Sequence, residues 1–319
     1  KGIAGGALFV YCRPMTASPD NPGLKNWLSI IALGVIWGGA FLSTKVALDG
    51  FGPWWVASGR VGMAAIAVSV LGALLGQGMH RISGARSWQF ILSFGVISVA
   101  GALALLAWGQ QHVSSAFAGI AMGAIPLMIL PLAYVFSRDE GIGPRRIAGF
   151  VVGFIGLVVL VGPKAFSASG ADLELWGRLA CIGCGCLYAI GSIITRRSPK
   201  MLPLAFAAAT LWVGTLILVP IAFWAEGAPA SLMNTPGYAL IYAALIPTAV
   251  GAILRVNIIK SAGSVFMSLT SYMVPVWSVI FGMLILGEQI SGTMVIGMLL
   301  ILCGIGLSQS RALLAMFAR

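Results

Sequence analysis

The sequence predicts an all-α membrane protein: ten transmembrane helices forming two inverted-topology five-helix repeats around a central cavity. Three observations carry the prediction. First, 59% of the 319 residues are apolar and only 8% are charged, against about 25% charged in a soluble domain. Second, the apolar residues gather into runs of spanning length. Third, the second half of the chain repeats the punctuation of the first.

A spanning helix needs about 20 mostly apolar residues. Such runs lie near 27–47, 53–75, 88–109, 113–136, 145–163, 174–195, 202–224, 236–259, 264–286 and 292–312. The breaks carry Pro, Gly and charge, as at Gly52-Pro53 and in 76–86, 138–146, 162–172, 196–200 and 226–236. Those near 110 and 288 are short. Strands are not expected, because the runs are too long and lack two-residue alternation. The organisation read from this is a cytoplasmic N-terminal tail over 1–26, a first repeat over 27–163 and a second over 174–312. Within the tail, Met15 opens a polar stretch that reads as a natural N-terminus, so 1–14 reads as an upstream extension. Its apolar patch is too short and interrupted for a signal peptide.

Orientation follows from Lys and Arg. With the N-terminus in the cytoplasm, 15 of the 19 basic residues fall in inside segments. Lys45 and Lys164 lie at outside ends, and Arg60 and Arg178 fall within spans. That asymmetry puts both termini in the cytoplasm of a bacterial-type inner (plasma) membrane. The net charge of +11 is thus a topology signal. It forms no basic face interleaved with aromatics, and no nucleic-acid partner is expected. The expected partners are the lipid bilayer and a small-molecule substrate. Oligomeric state is not set by the sequence, and a monomer is compatible with it.

The halves match in spacing. Ser114-Ser115-Ala116-Phe117 precedes Pro126, Glu140 and Gly149, and Gly263-Ser264-Val265-Phe266 precedes Pro275, Glu288 and Gly297. Glu to Gly spans nine positions in both copies; Trp37 to Lys45 and Tyr188 to Arg196 each span eight. Pro53 and Pro203 open the second run of each half. Five runs is an odd number, so the second half enters the membrane from the opposite face. Many secondary transporters build two gates around one site from such repeats. Pro126 and Pro275 are expected to kink their helices, and Glu288 to cap the start of the helix that follows it. Gly34, Gly38, Gly39, Gly149, Gly153 and Gly156 suit close helix packing. Trp27, Trp54, Trp88 and Trp176 suit interfacial anchoring.

These features resemble the drug/metabolite transporter superfamily, EamA type. The resemblance rests on Trp37-Gly38 in the first helix, Arg60 in the second, the Pro126 to Glu140 element, and its fuller copy Pro275, Leu286-Gly287-Glu288-Gln289 and Gly297. It covers roughly residues 27–310. One departure is Arg138-Asp139-Glu140-Gly141, where the usual pattern is Leu-Gly-Glu. The resemblance implies a ten-helix basket whose first, third, fourth, sixth, eighth and ninth helices line the cavity. YddG-like amino-acid exporters are the branch it points to.

Polar residues inside a bilayer are expensive and often functional. The expected substrate-binding set is Trp37, Trp108, Gln111, His112, Met122, Tyr188, Ser192, Asn257 and Tyr272, aromatic walls with a few hydrogen-bonding groups. His112, Ser115, Gly119 and Met122 have the spacing of one helical face, and Trp108 and His112 are four apart. Tyr242, Thr248 and Ser268 are further polar candidates. For Arg60 two roles stand open: binding a substrate carboxylate, or pairing with helix carbonyls.

No Asp or Glu lies mid-span, which weighs against a proton-coupled drug or organic-cation exporter. Too few deep basic residues are present for a sugar-phosphate carrier. Neither His80 nor His112 sits in an HExxH, and no glycine-rich loop with Lys is present, so no catalytic residue or cofactor is expected. Cys181, Cys184 and Cys186 lie in an apolar helix without a nearby His and read as packing residues rather than metal ligands. The function expected is export of small metabolites, foremost aromatic or apolar amino acids, by alternating access. A drug or organic-cation exporter is the alternative, and an intramembrane enzyme comes third.

Overall fold

The computed structural model describes residues 23–136, 143–162 and 173–317. Cys12, Met15, Arg138, Asp139, Glu140, Lys164 and Asp172 therefore lie outside the described residues. Ten apolar helices follow one another: α1 (Gly23–Leu48), α2 (Pro53–Leu74), α3 (Ala85–His112), α4 (Ser115–Phe136), α5 (Pro144–Val161), α6 (Glu174–Arg197), α7 (Pro203–Glu226), α8 (Thr235–Gly263), α9 (Thr270–Leu286) and α10 (Gly292–Phe317). Among the described residues nine are long and apolar enough to cross a membrane, and α9, at 17 residues, is shorter. No strand occurs among the described residues. The exterior is apolar, with Leu74 77%, Leu284 79% and Trp224 88% exposed. A water-soluble monomer does not spread such side chains over its surface, so this is a multi-pass membrane protein. Trp88 and Trp176 are exposed, whereas Trp27 packs edge-on against Phe266 at 5.0 Å.

The helix starts follow local chemistry. Pro opens α2, α5 and α7, where its missing N–H costs nothing. Between α3 and α4 only Val113 and Ser114 intervene. Val113 is extended, and the Ser114 hydroxyl accepts from Phe117 N at 3.1 Å as an N-cap. His112 thus ends α3 and does not share the face of Ser115, Gly119 and Met122. A second departure concerns α9. The apolar run begins at 264, but Gly263 (φ 87°, ψ 167°) breaks the backbone and the long helix starts only at Thr270. Only glycine takes such a φ without strain. Pro126 sits just after a break at Ala124, while Pro275 lies inside α9, several residues beyond its break.

Helix pairing has a regularity. Neighbours are α5 with α10, α2 with α7, α4 with α9, α1 with α9, α4 with α6, α1 with α8, and α3 with α6. Exchanging the halves (1 for 6, 2 for 7, and so on) leaves this set unchanged. Glycines set the closest seam. A Cβ on Gly156 of α5 would stand 2.9 Å from the Gly297 carbonyl, and one on Gly297 would stand 3.0 Å from that of Gly156. Both third helices also carry a seven-residue π-helical stretch, Gly95–Gly101 in α3 and Ala244–Val250 in α8. Such stretches are rare and frequent at functional sites.

Candidate functional site

At the centre, Arg60 lies seven residues after Pro53. At 1.5 Å of rise per residue that is about 10 Å into α2. Its neighbours Ala57, Val61 and Ala64 are buried. The guanidinium is fixed from two other helices: Nε donates to Thr248 Oγ1 of α8 at 3.0 Å, and Nη1 donates to Thr44 Oγ1 of α1 at 3.4 Å. Each hydroxyl has already given its proton to a backbone carbonyl, Thr248 to Ala243 at 2.9 Å and Thr44 to Ala40 at 2.8 Å. What each oxygen has left for Arg60 is a lone pair.

The π-helical stretch of α8 makes a second contact beside the first. Pro247 O accepts from Trp37 Nε1 at 3.1 Å. Trp37 and Thr44 are seven apart on α1 and share a face, and Gly251 of α8 leaves room for the indole. From α6, Tyr188 and Cys184 come within electrostatic reach of Arg60. Met122 Sδ lies 3.9 Å from Cys184 Sγ. Of the expected set, Trp37 thus bonds the α8 stretch that holds Arg60, Tyr188 lies within its electrostatic reach, and Met122 touches Cys184.

The other expected residues lie elsewhere. Trp108 and His112 pack edge-on at 4.9 Å at the end of α3, and Gln111 beside them is exposed. Ser192 donates to Ala189 O of its own helix at 2.7 Å. Asn257 is exposed toward the opposite end. Tyr272 on α9 is half-buried, with its hydroxyl buried and without a partner among the described residues. A cavity of about 230 Å³ lined by Ser69, Gln77, Met79 and His80 includes none of the expected residues. Thr44 escaped the sequence reading; its place seven residues after Trp37 was the available signal. Thr248 stood there only as one hydroxyl among several.

Polar ties close the end where α1, α3, α7 and α9 finish. Lys45 Nζ donates to Gln110 O at 2.7 Å and Val113 O at 2.9 Å, so a cation sits on the negative end of α3. The Glu288 carboxylate accepts from Ser115 N at 2.6 Å and Ala116 N at 3.0 Å. This corrects the expectation that Glu288 caps the helix following it: it caps α4, in the other half. Glu226 does the same for α2, accepting from Trp54 N at 2.9 Å and Trp55 N at 3.0 Å. Arg178 pairs with Glu174 and donates to Val161 O.

Fold and contacts together define a multi-pass membrane protein in which Arg60 and Trp37 of the first half bond to Thr248 and Pro247 of the second. The EamA-like transporter family matches residues 24–162 and again 175–309, and the chain belongs to that family. It is similar to the uncharacterized transporter YoaV of Bacillus subtilis, at 22% identity over 88% of this chain and 96% of the relative. A probable terminal-alkyne amino-acid exporter of Streptantibioticus cattleyicolor is 26% identical over 90% of this chain and 94% of its own. The uncharacterized inner membrane transporter YedA of Escherichia coli is 23% identical over 82% and 83%. A protein of known crystal structure shares the fold with a TM-score of 0.64 at 18% identity, covering 92% of this chain and 99% of that one.

Proposed function

We propose that the chain is a secondary transporter of a bacterial-type inner membrane, with both termini cytoplasmic, that exports small metabolites by alternating access. Aromatic and apolar amino acids are the foremost substrates. The observation that carries this reading is the composition of the centre: Trp37, Thr44 and Arg60 from the first half meet Tyr188 and Thr248 from the second. A ligand held there touches both halves, as a solute passed between two gates must. The symmetric pairing of the helices and their odd number per half support opposite threading and a rocking exchange of accessible side. The relative that exports a terminal-alkyne amino acid supports the substrate class.

A drug or organic-cation exporter needs an acid to trade proton for cation. By sequence position, all eight Asp and Glu lie at helix ends or between helices. Flux of radiolabelled phenylalanine and leucine into proteoliposomes tests the proposal. Saturable flux of either is expected, and it should persist when the pH gradient is collapsed. No saturable flux of any amino acid in a full panel removes the amino-acid version. Appearance of a chemically altered product would revive the intramembrane-enzyme reading.

A further inference from the structure

Arg60 is a cation inside the bundle without a fixed anion among the described residues. Among the described residues the ion pair shown is Arg178 with Glu174, at the far end of α6. Arg60 meets only the neutral oxygens of Thr44 and Thr248. A lone guanidinium removed from water is costly, and two neutral acceptors offset only part of that cost. The group offers five N–H donors. Two are engaged, so three N–H groups are left on a guanidinium whose orientation is fixed. A planar carboxylate fits such a fork with two parallel hydrogen bonds. A ligand with net positive charge is repelled there.

We propose that Arg60 is the substrate's carboxylate anchor, so the transported class is carboxylates without net positive charge: neutral amino acids and simple monocarboxylates. This rests on the transporter reading and narrows it. Thr248 and Thr44 are positioning residues that hold the guanidinium plane from α8 and α1. Trp37, bonded to Pro247 next to Thr248, supplies an aromatic wall nearby and favours an apolar or aromatic substrate body. Dibasic amino acids and organic cations are excluded by charge.

The test compares four molecules of one shape on the full chain in proteoliposomes: phenylalanine, 3-phenylpropionate, phenylalanine amide and phenethylamine. Each competes against labelled phenylalanine or, where that is not carried, labelled 3-phenylpropionate. Each is also scored by the thermal shift it gives the purified protein, since a ligand of the folded state raises the midpoint. The two acids should compete at least about tenfold better than the amide and the amine, the loss expected when charge-assisted hydrogen bonds are removed. Arg60→Gln should erase that preference, and Arg60→Lys should keep part of it. Thr248→Val should weaken the preference and Thr248→Ser restore it, an outcome that simple loss of packing would not produce. Should Arg60→Gln fail to fold, the wild-type comparison and the Thr248 pair still decide.

Equal competition by acid and amide overturns the inference while leaving amino-acid transport intact. An acid preference that survives in Arg60→Gln overturns it too. Transport of 3-phenylpropionate without any amino acid upholds Arg60 and overturns the amino-acid reading. If neither acid is carried or shifts the midpoint, the inference falls.

Discussion

The two ends of the bundle make the same kind of contact with different strength. At one end Glu226, the last residue of α7, caps α2 through two backbone N–H groups at 2.9 and 3.0 Å. At the other end Gln77, just past α2, reaches the start of α7 in the corresponding way. It makes one bond, Leu204 N to Gln77 Oε1, at 3.5 Å. Exchanging the halves maps one contact onto the other, but a carboxylate is replaced by an amide. The Glu226 end is further tied by Glu288 on α4 and Lys45 on α3, both charged. Ties described at the opposite end include two neutral ones, a Ser261 to Asn26 hydrogen bond at 2.6 Å and a Ser268 to Gln309 bond at 2.8 Å, and a charged one, from Arg197 to the Phe136 carbonyl. The comparison teaches that a duplicated layout of helices fixes where contacts fall, while the side chain at each place, carboxylate or amide, fixes how strong that contact is. The centre is unequal as well. Position 60 in α2 is Arg, and its counterpart Thr210 in α7 is a buried hydroxyl bonded to Ala207 O of its own helix at 3.0 Å.

That inequality is easiest to break at the centre. Arg60→Gln should lower flux of a carboxylate substrate by roughly 10- to 100-fold, the worth of one or two hydrogen bonds to a charged group. Thr210→Val, its symmetry mate, should change flux by less than about twofold, since its hydroxyl serves only its own helix. Equal losses in both would mean that the two positions do the same job. Next comes the cap on α4. Glu288→Gln should cost about 1–3 kcal/mol of stability, because two helix-start N–H groups lose a charged acceptor. A thermal midpoint unmoved by this change would show that the cap contributes nothing. Trp37→Phe should reduce flux several-fold, since it deletes the N–H bound to Pro247 together with the ring that fills the space beside Gly251; measuring monodisperse yield beside flux separates the two effects. The smallest effect belongs to Gln77→Glu. Giving this cap the charge of its Glu226 counterpart should raise stability by about 0.3–1 kcal/mol through the helix dipole, read as a higher midpoint.

Much of this was legible beforehand, for a physical reason. In lipid every backbone group must find its partner within its own helix, so a spanning helix announces itself as a continuous apolar stretch with polar punctuation. The starts of α2, α5 and α7 at Pro53, Pro144 and Pro203 follow from local sequence alone. Where the chain departs, distance along the chain explains it. Glu288 was read against its neighbours in sequence, but the N–H groups it caps are 173 and 172 residues away. No local pattern encodes the π-helical stretches either. The α8 stretch is held partly by Trp37, 210 positions from Pro247. Gly263 breaks the eighth and ninth runs apart because its φ of 87° is open to glycine, yet its sequence context is no different from that of many glycines that stay helical.

The sequence by itself set out ten apolar runs of helix length, the proline starts of α2, α5 and α7, and a spacing shared by the two halves. Hydropathy and turn chemistry act over a single helix length, and they suffice for that. Only the tertiary structure decided which polar groups face one another: that Arg60 meets Thr44 and Thr248 rather than an acid, and that Lys45 of α1 and Glu288, just past α9, bracket the α3–α4 junction. Hydrogen bonds between helices depend on rotation and register about each axis. Those are set by the packing of glycine seams and side-chain ridges across the whole bundle, and no stretch of twenty residues contains them.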